Sequence, residues 1–168
     1  MSYSVDRAFE ILTKCFMGGG KLLLCGNGGS AADCDHIAAE LVNGMTKRTT
    51  GLPAISLCSN GAIITAIGND RDADSIFSQQ VQAYGNPSDV LLAITTSGKS
   101  KNIIKALRTA YVTKYMRAIA LIGSYADKVE PYSDLVIACP GANASEIQEQ
   151  HIKVYHELCR RLEEDFFP

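Results

Sequence analysis

The stretch Lys21-Leu22-Leu23-Leu24-Cys25-Gly26-Asn27-Gly28-Gly29-Ser30 decides the fold. Leu22 to Cys25 are continuously apolar, the pattern of a strand covered on both faces, and they run straight into a glycine loop. A helical pattern from about Ala31 to Leu41 follows, so the order is strand, glycine loop, helix. Val90 to Ile94 repeats that order, leading through Thr95-Thr96-Ser97-Gly98-Lys99-Ser100 into a helix with Ile103, Ile104, Leu107 and Tyr111 on one face.

The remaining segments fit around these two units. Val5, Ala8, Phe9, Leu12 and Phe16 recur at helical spacing and are ended by Gly18-Gly19-Gly20. Ala54 to Leu57, Ala118 to Ile122 and Leu135 to Ala138 read as further strands, with helical pieces at 62–67 and 76–81. Ser145 to about Asp165 carries no proline or glycine and reads as one long final helix. Five strands alternating with helices predict an α/β three-layer sandwich, a doubly wound parallel sheet of the flavodoxin-like kind. Ligands of such sheets collect at the carboxyl ends of the strands, where both loops lie.

The chain has 168 residues, 46% hydrophobic and 20% charged, with a formal net charge of −2. Length predicts one domain, 1–168, with a helix over 1–17 ahead of a core over 20–168. Without a basic block, no nucleic acid partner is expected. No apolar run approaches the ~20 residues of a membrane helix, so no membrane partner is expected. The start shows no secretory signal pattern, and the expected location is cytoplasmic. The six cysteines fall mostly in apolar runs and helical patterns with no Cys-x-x-Cys pair, which predicts reduced, structural thiols.

Gly26-x-Gly28-x-x-Ala31 fits a relaxed dinucleotide pattern, but the second strand ends Leu57-Cys58-Ser59-Asn60, without the carboxylate a ribose needs. Gly98-Lys99-Ser100 resembles the tail of a P-loop, yet Ala93 stands where its first glycine belongs. What remains is a loop rich in hydroxyls at a helix amino terminus, suited to holding one phosphate. Capping accounts for one serine; Thr95, Thr96, Ser97 and Ser100 together point to an anion. Lys47 and Arg48, in the polar loop 43–51, are further candidates to reach it.

All three histidines lie in two helical segments. His36 and Glu40 form an i, i+4 pair suited to sharing an ion or a proton. Gln148, His151, Tyr155 and His156 share one arc of the last helix, and such histidine, carboxylate and amide donors suit zinc or another borderline divalent ion. His151 reads as structural or interfacial.

Gly26-Asn27-Gly28-Gly29-Ser30-Ala31-Ala32-Asp33, His36-x-x-x-Glu40-Leu41, Gly68-Asn69-Asp70, Thr95 to Ser100, and Ile147-Gln148-Glu149-x-His151-Ile152-Lys153-x-x-His156 together resemble the sugar-isomerase (SIS) family, in particular its phosphoheptose isomerases. The resemblance implies an isomerase that converts sedoheptulose 7-phosphate into D-glycero-D-manno-heptose 7-phosphate, the first step toward nucleotide-activated heptose for surface polysaccharide such as lipopolysaccharide. It also implies a homotetramer with sites between subunits. It implies substrate contacts at Asn27, Gly28, Gly29, Ser30, Glu40, Asn69, Asp70, Thr95, Thr96, Ser97, Ser100 and Gln148. Zinc ligands fall on His36, Glu40, Gln148 and His156, and acid/base roles on Glu40 and His156. Two positions depart from the family pattern: Val42-Asn43-Gly44-Met45 replaces a stretch that usually carries an arginine, and Ser145 replaces an acidic residue. Two other readings share the local motifs, an SIS scaffold that binds the bacterial replication initiator and an SIS isomerase for a different phosphosugar.

Overall fold

The computed structural model describes residues 2–168, with side chains from Ser4 onward; Met1 of the expected first helix lies outside the described residues. Five parallel strands form one sheet: β1 (Leu22–Gly26), β2 (Ala54–Ser56), β3 (Val90–Thr95), β4 (Arg117–Ile122) and β5 (Leu135–Ala138), in the order β2-β1-β3-β4-β5. This is the doubly wound, flavodoxin-like arrangement that the alternation predicts. The order reverses beside β1, whose partner on one side is β2 and on the other β3. Cys25 pairs with Ala93 and Gly26 with Ile94, so the loops that follow these two strands leave the sheet side by side.

β1 and β3 are buried along their whole length, and successive side chains point to opposite faces. Leu22, Leu24, Val90, Leu92 and Ile94 pack under α1 (Ser2–Met17), α2 (Gly29–Asn43) and α6 (Ala144–Phe166). Leu23, Cys25, Leu91 and Ala93 pack under α4 (Ile76–Tyr84) and α5 (Lys101–Arg108). All six cysteines are free, and every one but Cys58 is buried, as small apolar side chains are. No helix among the described residues is long and apolar enough to cross a membrane.

Two helices depart from simple amphipathic packing. α5 ends at Arg108 and widens into a π-helical turn over Thr109–Thr113. The wider turn shifts the helical register, so Ala110 is buried and Tyr111, expected on the apolar face, is exposed. α3 (Gly61–Asp70) packs on α4 and the turn at Ala73–Ser75, yet has no buried residue and leaves Ile63, Ile64 and Ile67 half-buried.

α6 is anchored at both ends. Asn143 caps it by accepting from Glu146 N, while the Glu146 carboxylate accepts from Ala142 N and from the Asn143 side-chain Nδ2, a reciprocal cap akin to a capping box. Near the other end, the Glu163 carboxylate accepts from the amides of Met45, Thr46 and Lys47 and from the Thr46 hydroxyl. This fastens the loop after α2 to α6 and holds the two helices at a fixed separation. Burial pushes the Glu163 carboxyl up, but the Thr46 hydroxyl and the backbone donors outweigh it and hold it below its ordinary value.

A carboxyl depressed in the folded state stabilises the protein fully above its unfolded pKa of about 4.3, and this contribution is lost as pH falls through the folded value. Glu163→Gln is therefore expected to lower stability at pH 7 by about 1–3 kcal/mol, the scale of hydrogen bonds to a charged group. In urea titrations the gap between variant and wild type should begin to narrow as pH falls below about 4.3, the unfolded value, and close only once pH passes the lower folded value, where the native carboxyl is itself protonated.

Candidate active site

The glycine loop exists because backbone must approach backbone there. A Cβ on Gly26 would fall 2.5 Å from the Ser30 carbonyl oxygen, and Gly28 takes φ 57°, a left-handed conformation that costs a side chain strain. Gly28 is the cap residue of α2 but offers no side chain to its free N–H groups. A Cβ on Gly29 would collide with the Gln148 amide, which lies directly over the loop.

Across from it, β3 delivers Thr95, and Thr95 Oγ1 stands 3.5 Å from both Ser97 Oγ and Ser100 Oγ. Ser100 occupies the cap position of α5, yet its hydroxyl caps nothing. Ordinary helix capping therefore does not account for it. Ser30, Thr95, Thr96, Ser100, Asn27 and Gln148 line one hollow of about 60 Å³, together with Ile94. That is room for several waters or one tetrahedral anion. Two helix amino termini open beside it and no lysine or arginine lines it, so an anion there is met by hydroxyls, amides and helix ends. Lys99 instead lies over the Tyr125 ring at 4.3 Å, Lys47 donates to the Phe167 carbonyl, and Arg48 is exposed.

The second part of the site lies where α2 meets α6. His36 Nε2 is 3.1 Å and His156 Nε2 3.4 Å from the same atom, Glu40 Oε1. The donor atoms of all three residues lie within 4.8 Å of one another. Glu40 Oε2 and His156 Nε2 are buried and meet no nitrogen or oxygen hydrogen-bond partner among the described residues, with only the Cys159 thiol beside the carboxylate. Two imidazoles and a carboxylate converging with two orphaned polar atoms form a donor set that a divalent cation satisfies. Three of the four expected ligands are thus brought together; the fourth, Gln148, lies against Gly29 at the hollow.

Behind His36, its Nδ1 is 3.1 Å from the Tyr155 hydroxyl, which donates to Asp33 Oδ1 at 3.3 Å. Burial, reinforced by the adjacent Asp33 carboxylate, raises the Tyr155 phenol well above its ordinary value, so the hydroxyl keeps its hydrogen. His151 is fully buried and pairs through Nε2 with the Ile122 carbonyl at 3.1 Å, tying α6 to the end of β4. Burial lowers its pKa, which leaves it neutral and donating there.

Asn69 and Asp70 stand apart. They end α3, are exposed, and bond to each other rather than to any residue of the cluster. Three contributors escaped the motif reading. Asn102 exchanges two amide hydrogen bonds with Asn27, at 2.9 and 2.8 Å, and so braces the glycine loop against α5. Asp33 was within reach of the spacing argument, three residues before His36 on the same helix face. Tyr155 was seen on the arc of the last helix, but its partners on α2 were not. A larger cavity of about 350 Å³, bounded by Arg7, Lys14, Ser88 and Arg117, lies at the amino ends of the strands and contains none of the expected site residues.

A family model described as SIS domain matches residues 2–123. The phosphoheptose isomerases of Shewanella loihica and Shewanella denitrificans are 42% and 43% identical over 168 residues, covering 98% of this chain and 85% of theirs. Among solved structures, phosphoheptose isomerase GmhA from Neisseria gonorrhoeae superposes with a TM-score of 0.89 at 39% identity, over 96% of this chain and 86% of that one. A phosphoheptose isomerase from Francisella tularensis gives 0.86 at 38%, over 94% and 83%. With identity sustained over almost the whole chain and the same fold, this chain belongs to the SIS domain family, among its phosphoheptose isomerases.

Proposed function

We propose that the protein interconverts sedoheptulose 7-phosphate and D-glycero-D-manno-heptose 7-phosphate by proton transfer through an enediol. The observation that carries this reading is the placement of an anion hollow, lined by the loops after β1 and β3, beside the α2–α6 pair that carries the largely buried Glu40 carboxylate and the two histidines. Relatives named phosphoheptose isomerase at 42–43% identity support the substrate class. So does the span: Ser30 and Glu40 are ten residues apart on α2, a rise of about 15 Å, which the Glu40 side chain shortens by tilting back toward the helix amino end. A long sugar chain with a terminal phosphate fills such a span.

In this reading Ser30, Thr95, Thr96, Ser97 and Ser100 grip the phosphate, with Asn27, Gly28, Gly29 and Gln148 closing over it. Glu40 Oε2 takes the proton from C1 of the ketose and returns it to C2, while the hydrogen on the C1 oxygen is passed to the C2 oxygen with His156 as the acid and base. His36, Glu40 and His156 would hold a divalent ion, and their chemistry suits zinc; Gln148, which lines the anion hollow, would join them as fourth donor only by turning its amide away from Gly29. Such an ion supplies positive charge beside the developing enediolate oxygens.

The remaining roles extend the same proposal. The whole chain acts as one SIS unit in the cytoplasm, at the first step toward activated heptose for a surface polysaccharide. Four copies assemble around shared sites. In support, α3 carries three isoleucines with none buried, and Asn69 and Asp70 stay outside the cluster of their own chain, as residues directed at a neighbour's site do.

Incubation of zinc-loaded protein with sedoheptulose 7-phosphate is expected to yield the aldoheptose 7-phosphate, detected by NMR; absence of product contradicts the proposal. Glu40→Gln should lower turnover at least about a hundredfold, the scale of lost general acid–base catalysis, while binding of inorganic phosphate stays within a few fold. Thr95→Val, nearly isosteric, should do the reverse at the other end of the site. It is expected to weaken phosphate binding about tenfold, one hydrogen bond to a charged group, with little change in thermal stability.

A further inference from the structure

Tyr155 is 2% exposed and belongs to the core beneath α2, yet its hydroxyl is placed between two polar groups of that helix. Asp33 Oδ1 stands 3.3 Å from it on one side and His36 Nδ1 3.1 Å on the other. Tyr155 is the only side chain bonded to Asp33 among the described residues, and Asp33 Oδ2 has no partner. The ring of His36 also meets the Tyr155 and His156 rings edge to face, at centroid separations of 5.6 and 5.2 Å, which restricts its rotation.

The direction of these bonds follows from the number of hydrogens. An ionised carboxylate only accepts, so the single hydroxyl hydrogen of Tyr155 goes to Asp33. The oxygen can then only accept from His36, which requires the ring hydrogen on Nδ1 and leaves Nε2 with a bare lone pair. That lone pair faces Glu40 Oε1 at 3.1 Å, itself an acceptor, and a cation between them resolves the conflict.

We propose that Tyr155 and Asp33 are positioning residues for His36: the hydroxyl bridge between them holds the ring in the Nδ1–H form and aims Nε2 at a divalent ion shared with Glu40 and His156. This rests on the reading that the cluster holds such an ion. Asp33 acts only through Tyr155, and neither residue touches the substrate. The consequence is specific to the acceptor character of Asp33. An asparagine there can donate to the Tyr155 oxygen, which turns the hydroxyl hydrogen toward Nδ1 and moves the ring hydrogen to Nε2, where it blocks ligation.

The test uses metal-stripped full-length protein titrated with zinc against a chromogenic chelator, together with ¹⁵N NMR of the three histidines without metal. Tyr155→Phe is expected to weaken zinc about tenfold or more, the effect of losing an outer-shell partner, and Asp33→Asn to weaken it further. The double variant should return to the level of Tyr155→Phe, because without the hydroxyl the asparagine no longer reaches His36. The NMR spectrum should show His36 as Nδ1–H in the wild type and as Nε2–H in Asp33→Asn, a change that loss of packing alone does not produce. If Tyr155→Phe does not fold, Asp33→Asn carries both readouts. Zinc affinities of both variants within about twofold of wild type, the scatter of unrelated single-site changes, would overturn the relay and leave the metal reading standing. Zinc binding by the wild type no tighter than by His36→Ala would overturn both.

Discussion

The site depends on one constraint, the reversal of strand order beside β1. Because β2 lies on one side of β1 and β3 on the other, the chain leaves the carboxyl ends of β1 and β3 in adjacent positions with helices on opposite faces of the sheet. The pairing of Gly26 with Ile94 sets the distance between the glycine loop and the hydroxyl loop. Neither loop alone encloses an anion; side by side they form the hollow. The burial of both strands on both faces keeps this register from slipping, since a one-residue shift would exchange the two cores.

The polar cluster depends in turn on the contact between α2 and α6. Ser30, His36 and Glu40 come from the first helix, Gln148, Tyr155 and His156 from the second, so any change in their separation alters the hollow and the cluster together. Glu163 with its four donors from loop 45–47 fastens α6 to the end of α2, and the His151 bond to Ile122 fastens it to β4. They involve no residue that the proposed chemistry uses. The anion side needs no basic surface, which accords with a chain of net charge −2.

Much of this was legible in the sequence because it is local. Continuous apolar runs gave away the buried strands, glycines marked the close backbone approach, and i, i+4 spacing put His36 and Glu40 on one face. What was not legible is set by contacts between distant positions. Tyr155 and Asp33 are 122 residues apart, Asn27 and Asn102 75, Thr46 and Glu163 117. Tyr111 was misplaced for a different reason: the π turn at Thr109–Thr113 breaks the period on which its assignment rested. Asn69 and Asp70, recognisable as a motif, lie outside the cluster of their own chain, and nothing in a single chain's periodicity says where a neighbour's residue will fall.

In the proposed function one site joins a phosphate grip to an ion-holding cluster of His36, Glu40 and His156. Anomalous diffraction at the zinc edge, from crystals grown with zinc and sedoheptulose 7-phosphate, tests it most directly. One strong peak per chain is expected, bonded to His36 Nε2, His156 Nε2 and the Glu40 carboxylate, with the sugar phosphate seated among Ser30, Thr95 and Ser100. A peak bonded elsewhere, or no peak at this cluster with the sugar phosphate in place, would contradict it.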